Sequence, residues 1–170
     1  MGRLVEYILL LLSVVLVVST LTGSANNYYN EPTGNKGSFK DCSVSEKFAE
    51  LINGSITTNP LICGKAYYYQ GSLNIKKTIQ WGILHFTLTH PFKNYANITF
   101  MDEKFNLCDY IYDLFKVYCP MQPGTYHTDA VGLIPSILWP GRYYAKAAMY
   151  NKEGEEIMCI STELTVKKLE

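Results

Sequence analysis

Three histidines, five cysteines and a scatter of carboxylates are the residues of this chain that could do chemistry. Nucleophilic or acid-base catalysis requires at least two such groups to converge on one atom. His85 and His90 sit five positions apart in an alternating stretch, so on one extended strand they project to opposite faces. His127 follows a Cys-Pro bend with no serine or cysteine elbow motif beside it. Asp102-Glu103 falls just past a strand pattern and reads as a turn cap, while Asp109 and Asp113 read as solvated carboxylates. Neither a phosphate-cradling Gly-x-x-x-x-Gly-Lys nor a dinucleotide fingerprint occurs. No Cys-x-x-Cys or His-x-x-x-His spacing supplies a zinc site. The residues therefore point to a protein that is not an enzyme and uses neither metal nor cofactor.

The cysteines carry a different message. Met1 to Tyr7 bear one net positive charge, Ile8 to Val18 are almost wholly apolar, and Thr22-Gly23-Ser24-Ala25 are small. This order describes a secretory signal peptide over 1–25, because the apolar run falls short of the about 20 residues that a membrane anchor requires. Behind it, Cys42, Cys63, Cys108, Cys119 and Cys159 meet an oxidising compartment in which pairs are expected, although spacing alone leaves the pairing open. Cys108 and Cys119 flank an aromatic-rich loop, and Cys-Pro-x-x-Pro-Gly-x-Tyr then reads as a bend into a new strand. Asn53-Gly54-Ser55 and Asn97-Ile98-Thr99 are glycosylation acceptors, suited to the same compartment.

The elements that must position these residues are strands. Turn formers without apolar period make 26–38 a flexible arm, and the domain is expected over 39–170, long enough for one core. Tyr95 to Met101 alternates, sending Ile98 and Phe100 to the core and Asn97 outward. Arg142 to Tyr150 alternates as well, with Tyr143, Ala145, Ala147 and Met149 on one face, and Asn151-Lys152-Glu153-Gly154 turns into Ile157 to Val166. Only Ser45 to Ile52 reads as weakly helical. Short strands punctuated by Gly, Pro and Asn predict an all-β chain, an immunoglobulin-like antiparallel sandwich of two sheets. Lysine plus arginine number 15 and so do aspartate plus glutamate, so no field gathers nucleic acid.

Five pieces, in order, carry a resemblance. They are Phe39-Lys40-Asp41-Cys42-Ser43, then Leu107-Cys108-Asp109 to Cys119-Pro120-Met121 with Gly124 behind, Pro140-Gly141-Arg142-Tyr143, Tyr150-Asn151-Lys152-Glu153-Gly154, and Met158-Cys159-Ile160. Together they resemble the ML-domain (myeloid-differentiation-2-related lipid-recognition) family over roughly 39–167. They are most similar to fungal-type phosphatidylglycerol/phosphatidylinositol transfer proteins and to the Niemann-Pick type C cholesterol-binding protein. The resemblance implies disulfides Cys42–Cys159 and Cys108–Cys119. Cys63 is left as a buried thiol or the donor of an intermolecular bond.

Function is implied in the same way. Sandwich faces normally close on interlocking side chains about 10 Å apart; in this family they part around an apolar cavity, where each buried methylene contributes about 0.8 kcal/mol. Carried over by motif, the lipid-binding residues are Trp139 with Ile134 and Ile137, and the apolar candidates flanking Cys108, namely Ile98, Phe100, Phe115 and Val117. Phe86 and Tyr143 join them from alternation alone. Arg142 stands where it could meet a lipid phosphate, and Tyr110 to Tyr118 where they could enter a bilayer interface. The implied protein is a monomeric carrier of a sterol or phospholipid, secreted or lumenal in the endomembrane, vacuolar or lysosomal system, with transient membrane contact. The alternative is an extracellular recognition module binding a receptor through its sandwich surface.

Overall fold

The computed structural model describes residues 35–45, 48–92 and 96–169. The expected signal peptide and residues 26–34 of the expected arm lie outside them. The described chain runs β1 (Asn35–Ser38), β2 (Lys40–Asp41), β3 (Ala49–Asn59), β4 (Leu61–Ile62), β5 (Ala66–Ile75), β6 (Gly82–Phe92), β7 (Ala96–Asn106), α1 (Leu107–Phe115), β8 (Gly124–Leu133), β9 (Gly141–Asn151) and β10 (Glu156–Lys167). One sheet has the order β1-β3-β5-β8 and the other β2-β10-β9-β6-β7, with β4 added parallel to β10. Every other pairing is antiparallel. This is the expected two-sheet sandwich, except that pairing already begins at Asn35.

Alternation fixes which side chains face inward. On β9 Tyr143 and Ala145 are buried while Tyr144 and Lys146 are exposed. The neighbours in register repeat the pattern: Leu84, Phe86 and Leu88 of β6 lie beside Met149, Ala147 and Ala145, and Met158, Ile160 and Thr162 of β10 beside the same three. The β9–β10 hairpin closes as its sequence requires. Asn151 Oδ1 accepts from the backbone N–H of Glu153 at 3.0 Å and of Glu155 at 2.8 Å, and Gly154 takes φ +83°.

Two expectations about helix are corrected. Residues 49–52, read as weakly helical, are the first part of β3 and pair with Ser72–Ile75, because burying Ala49 and Leu51 against β5 outweighs a weak local preference. The segment after Cys108, read as a loop, is the helix α1. Asn106 caps it, its Oδ1 accepting from the Cys108 N–H at 3.0 Å, and Lys116 ends it with φ +55°. Leu107 and Ile111, four apart, bury one face of it.

The core is two clusters rather than one. The first joins α1 to both sheets through Leu73, Leu84, Leu107, Ile111, Met121 and Ile157. The second, at the opposite end, gathers Ile56, Leu61, Cys63, Ile134, Tyr143 and Val166. Disulfides join Cys42 to Cys159 and Cys108 to Cys119, as the resemblance implied, and Cys63 is a buried free thiol.

Candidate functional site

An open slot of about 390 Å³ lies between the sheets where β3 faces β2 and β10. Pairing lengths create it. β1 covers β3 only from Ser55 to Asn59, so the backbone edge from Ala49 to Asn53 is left uncovered. Across the gap β2 is two residues long and pairs β10 only at Ile160 and Ser161. A bulge between Ile52 and Ser55, with Asn53 at φ +56°, bends the β3 lip. Ala49, Leu51, Met158, Ile160 and Phe39 supply apolar side chains to it, and Lys40, Asp41, Glu50 and Asn53 supply polar ones. Leu51 lies across Gly54 and Gly71, both of which leave room for it: a Cβ on Gly54 would also come within 2.8 Å of the Phe39 ring.

The rim charges are held. Glu50 accepts from Asn74 Nδ2 at 3.1 Å and meets Lys76 Nζ at 2.8 Å, and Asp41 accepts from the Ser43 N–H at 2.8 Å. Such a site sets apolar side chains beside polar ones, which suits a molecule with an apolar body and a polar head.

None of the lipid-binding residues expected from the sequence lines this slot. Ile134 and Tyr143 are buried in the second cluster, with Phe100 packed against them; the Tyr143 hydroxyl donates to the Trp139 carbonyl at 2.8 Å. Phe115 and Val117 pack on the first cluster. Phe86 and Ile98 are half-buried, and Ile137 and Trp139 are exposed at the end of the sandwich. Arg142 meets Glu163 at 3.4 Å. The sequence reading did not single out Phe39, Leu51, Met158 and Ile160 of this slot; Ile157 to Ile160 are apolar throughout, so no alternation there tells one face from the other.

The titratable groups are dispersed. His85 bonds Asp102 at 2.6 Å on the outer face of β6, whereas His90 is buried on the inner face, Nδ1 against the Arg142 carbonyl at 2.6 Å and ring stacked on Tyr143 at 4.7 Å. His127 Nδ1 lies 2.8 Å from Ser72 Oγ, a cross-strand pair on an outer sheet face. No group of three or more metal-binding side chains occurs among the described residues. One polar group is conspicuous: the Tyr69 hydroxyl is buried without a hydrogen-bond partner, and burial, ahead of the nearby Tyr67 and Asp113, pushes its pKa up to about 12. Thr128 lies beside it and partly offsets the rise, while its own hydroxyl donates to the Leu114 carbonyl at 3.0 Å.

Asn53 and Asn97 are both exposed, as a glycan acceptor must be.

Comparison with known proteins bears on the family and the fold. The model of the ML domain matches residues 36–166. A phosphatidylglycerol/phosphatidylinositol transfer protein of Schizosaccharomyces pombe is 28% identical over 111 residues, 65% of this chain and 57% of its own length, so the match spans less than two thirds of that relative. One from Candida albicans is 25% identical over 151 residues, 88% of this chain and 76% of that one. Among solved structures, a Niemann-Pick type C2 protein from the Japanese carpenter ant superposes with a TM-score of 0.55 at 12% identity, covering 76% of this chain and 99% of that one. Chicken MD-1 complexed with lipid IVa superposes with a TM-score of 0.50, also at 12% identity, over 75% of this chain and 87% of its own. At that identity the two structures speak for the fold alone. With most of the described domain matched, this chain belongs to the ML-domain family.

Proposed function

We propose that this chain is a lipid-binding protein that carries a phospholipid or sterol between membranes, holding the apolar body between its two sheets and performing no chemistry on it. The observation that carries this reading is the slot: it opens to solvent where β3 faces β2 and β10, and Ala49, Leu51, Met158, Ile160 and Phe39 give it apolar side chains. Its volume of about 390 Å³ falls at the lower end of ordinary small-molecule sites, roughly 300–1,000 Å³. Between the two packed clusters the inward faces bear small side chains, Gly71 and Thr128 on one sheet and Ala145 on the other. On this reading a longer ligand extends inward from the slot past these small side chains.

The names of the fungal relatives, phosphatidylglycerol/phosphatidylinositol transfer proteins, support the substrate class. The two disulfides suit an oxidising compartment, hence a secreted or lumenal protein, monomeric, with glycans on Asn53 and Asn97. To test the reading, the chain beginning at Asn26 is purified from an oxidising host, extracted with solvent and examined by lipid mass spectrometry, alongside a vesicle-to-vesicle transfer assay. Stoichiometric lipid and transfer above background are expected. Absence of both ends the proposal.

A further inference from the structure

The ends of the sandwich differ in a way that the balanced overall charge conceals. At one end the loop 134–140 is tied to the turn after β4 and to the last residues of β10. The Ile134 N–H donates to the Lys65 carbonyl at 3.0 Å, the Gly64 N–H to the Ile134 carbonyl at 2.8 Å, and the Cys63 N–H to the Lys167 carbonyl at 2.9 Å. Cys63 Sγ donates to the Leu138 carbonyl at 3.3 Å. Held in this way, the loop presents apolar side chains to solvent: Ile137 is 72% exposed and Trp139 50%. Phe92, 42% exposed, extends the patch, its ring centroid 6.3 Å from that of Trp139. The indole is also anchored edge-on against Phe100 at 5.5 Å, so it is a fixed feature of the surface.

Cations surround the patch. Lys65, Arg142, Lys167 and Lys168 are all exposed, and among the described residues of 60–67, 88–92, 131–144 and 163–169 the one acid is Glu163, beside Arg142. The opposite end also shows aromatics, yet of another kind. Tyr112 and Tyr118 stack on each other at 4.4 Å, and Asp109, Asp113, Glu153 and Glu155 are mixed there with Lys76, Lys77, Lys116 and Lys152. The charges named there balance, so that surface offers an anionic membrane no net attraction, although Trp81 is also exposed at that end.

We propose that the 134–140 end is a docking surface for membranes rich in anionic phospholipid. Tryptophan favours the bilayer interface, Ile137 and Phe92 enter the acyl boundary beside it, and the lysines meet phosphates that a neutral leaflet does not offer as net charge. The attraction is electrostatic at long range, so it weakens with salt. The inference rests on the carrier reading for its purpose, and its test uses vesicles rather than bound lipid, so the two can fail separately.

The two tryptophans of the chain, Trp81 and Trp139, lie at opposite ends and serve as reporters. In Trp81→Phe, which leaves Trp139, emission shifts to the blue on adding phosphatidylcholine vesicles containing about one third phosphatidylglycerol; in Trp139→Phe, which leaves Trp81, it stays. Cosedimentation with these vesicles falls at least tenfold in Ile137→Asp and in the triple variant Lys65→Glu, Lys167→Glu, Lys168→Glu. Both variants change exposed side chains and keep the wild-type circular dichroism. A shift at Trp81 in place of Trp139, equal binding to pure phosphatidylcholine, or no vesicle binding at all overturns the proposal. Lipid retained in Ile137→Asp after purification shows that docking, and not holding, has been lost.

Discussion

Leu51→Trp tests whether the slot is the place where the apolar body sits. Leu51 lines the slot, packs against the first cluster and lies over Gly54 and Gly71, so a larger side chain there has nowhere to go but into the opening. Indole has about six more non-hydrogen atoms than isobutyl, and at about 0.8 kcal/mol per displaced ligand methylene the upper limit of the effect is about 5 kcal/mol. With half of those carbons moved elsewhere the loss is about 2.5 kcal/mol, or roughly 60-fold in Kd. The assay is titration with a fluorescent acyl-chain phospholipid, with thermal unfolding to establish that the variant is folded. Overpacking at a half-buried site costs about 1–3 kcal/mol of stability, which a stapled domain tolerates. Ile137→Trp is the control, adding a similar side chain at the exposed loop, and its Kd stays within about twofold of the wild type. A folded Leu51→Trp that binds lipid as the wild type does, or a control that weakens binding equally, refutes the placement.

Three further outcomes follow from the frame around the slot. Replacing Cys42 and Cys159 by serine releases a closure of 117 residues and lowers unfolding stability by about 5 kcal/mol, against about 3 kcal/mol for Cys108 and Cys119, which close 11; urea midpoints in the opposite order contradict the chain-entropy account. Tyr69→Phe removes a buried hydroxyl without a partner and raises urea stability by about 1 kcal/mol or more. It also alters the alkaline limb. A tyrosine whose folded pKa is about 12 against 10 when unfolded holds its proton better in the fold, so its share of stability is complete below pH 10 and is lost as pH rises through 12. The phenylalanine variant therefore loses less between those values. Gly141→Ala places a Cβ against the His90 ring at a backbone φ of +146° and lowers the unfolding temperature by several degrees or more, with no rescue by any larger residue.

Much of the frame was legible in the sequence because it is written locally. Alternation over 142–150, the Asn151 to Gly154 turn and the opposed projections of His85 and His90 each depend on neighbours a few residues away, and each is as expected. The cysteine pairs came from resemblance, which carries long-range information that spacing lacks. The helix α1 was legible too, from Asn106 followed by Leu107 and Ile111 at helical spacing, but the flanking cysteines drew attention to a loop. The slot was not legible. Its position depends on where β1 stops covering β3 and on β2 being only two residues long, and no local pattern sets the length over which two distant segments pair. Tyr143 illustrates the converse: inward-facing by pattern, it is packed in the second cluster, since alternation says which face a side chain joins and not whether that face is filled.

The slot and the long disulfide belong to one device. The β2 lip rests on β10 through two residue pairs, and immediately after them the Cys42 N–H donates to the Cys159 carbonyl at 3.0 Å while the Cys159 N–H donates to Ser43 Oγ at 2.9 Å. So short a ladder frays readily, because each of its ends leaves backbone groups exchanging with water. The Cys42–Cys159 bond prevents that fraying from spreading, holding one lip to its sheet, while the facing lip on β3 is held to β5 from Ala49 to Ile52 and bends at Asn53. Both lips are thus fixed to their own sheets, and they are tied to each other at the start of β3, where the Phe48 N–H donates to the Ile157 carbonyl at 3.0 Å and Ala49 shares a buried cluster with Met158. On the carrier reading proposed above, loading therefore takes place beyond the Phe48–Ile157 bond, where β1 and β2 leave the facing edges uncovered, and the ladders of β9, β6 and β5 are not opened.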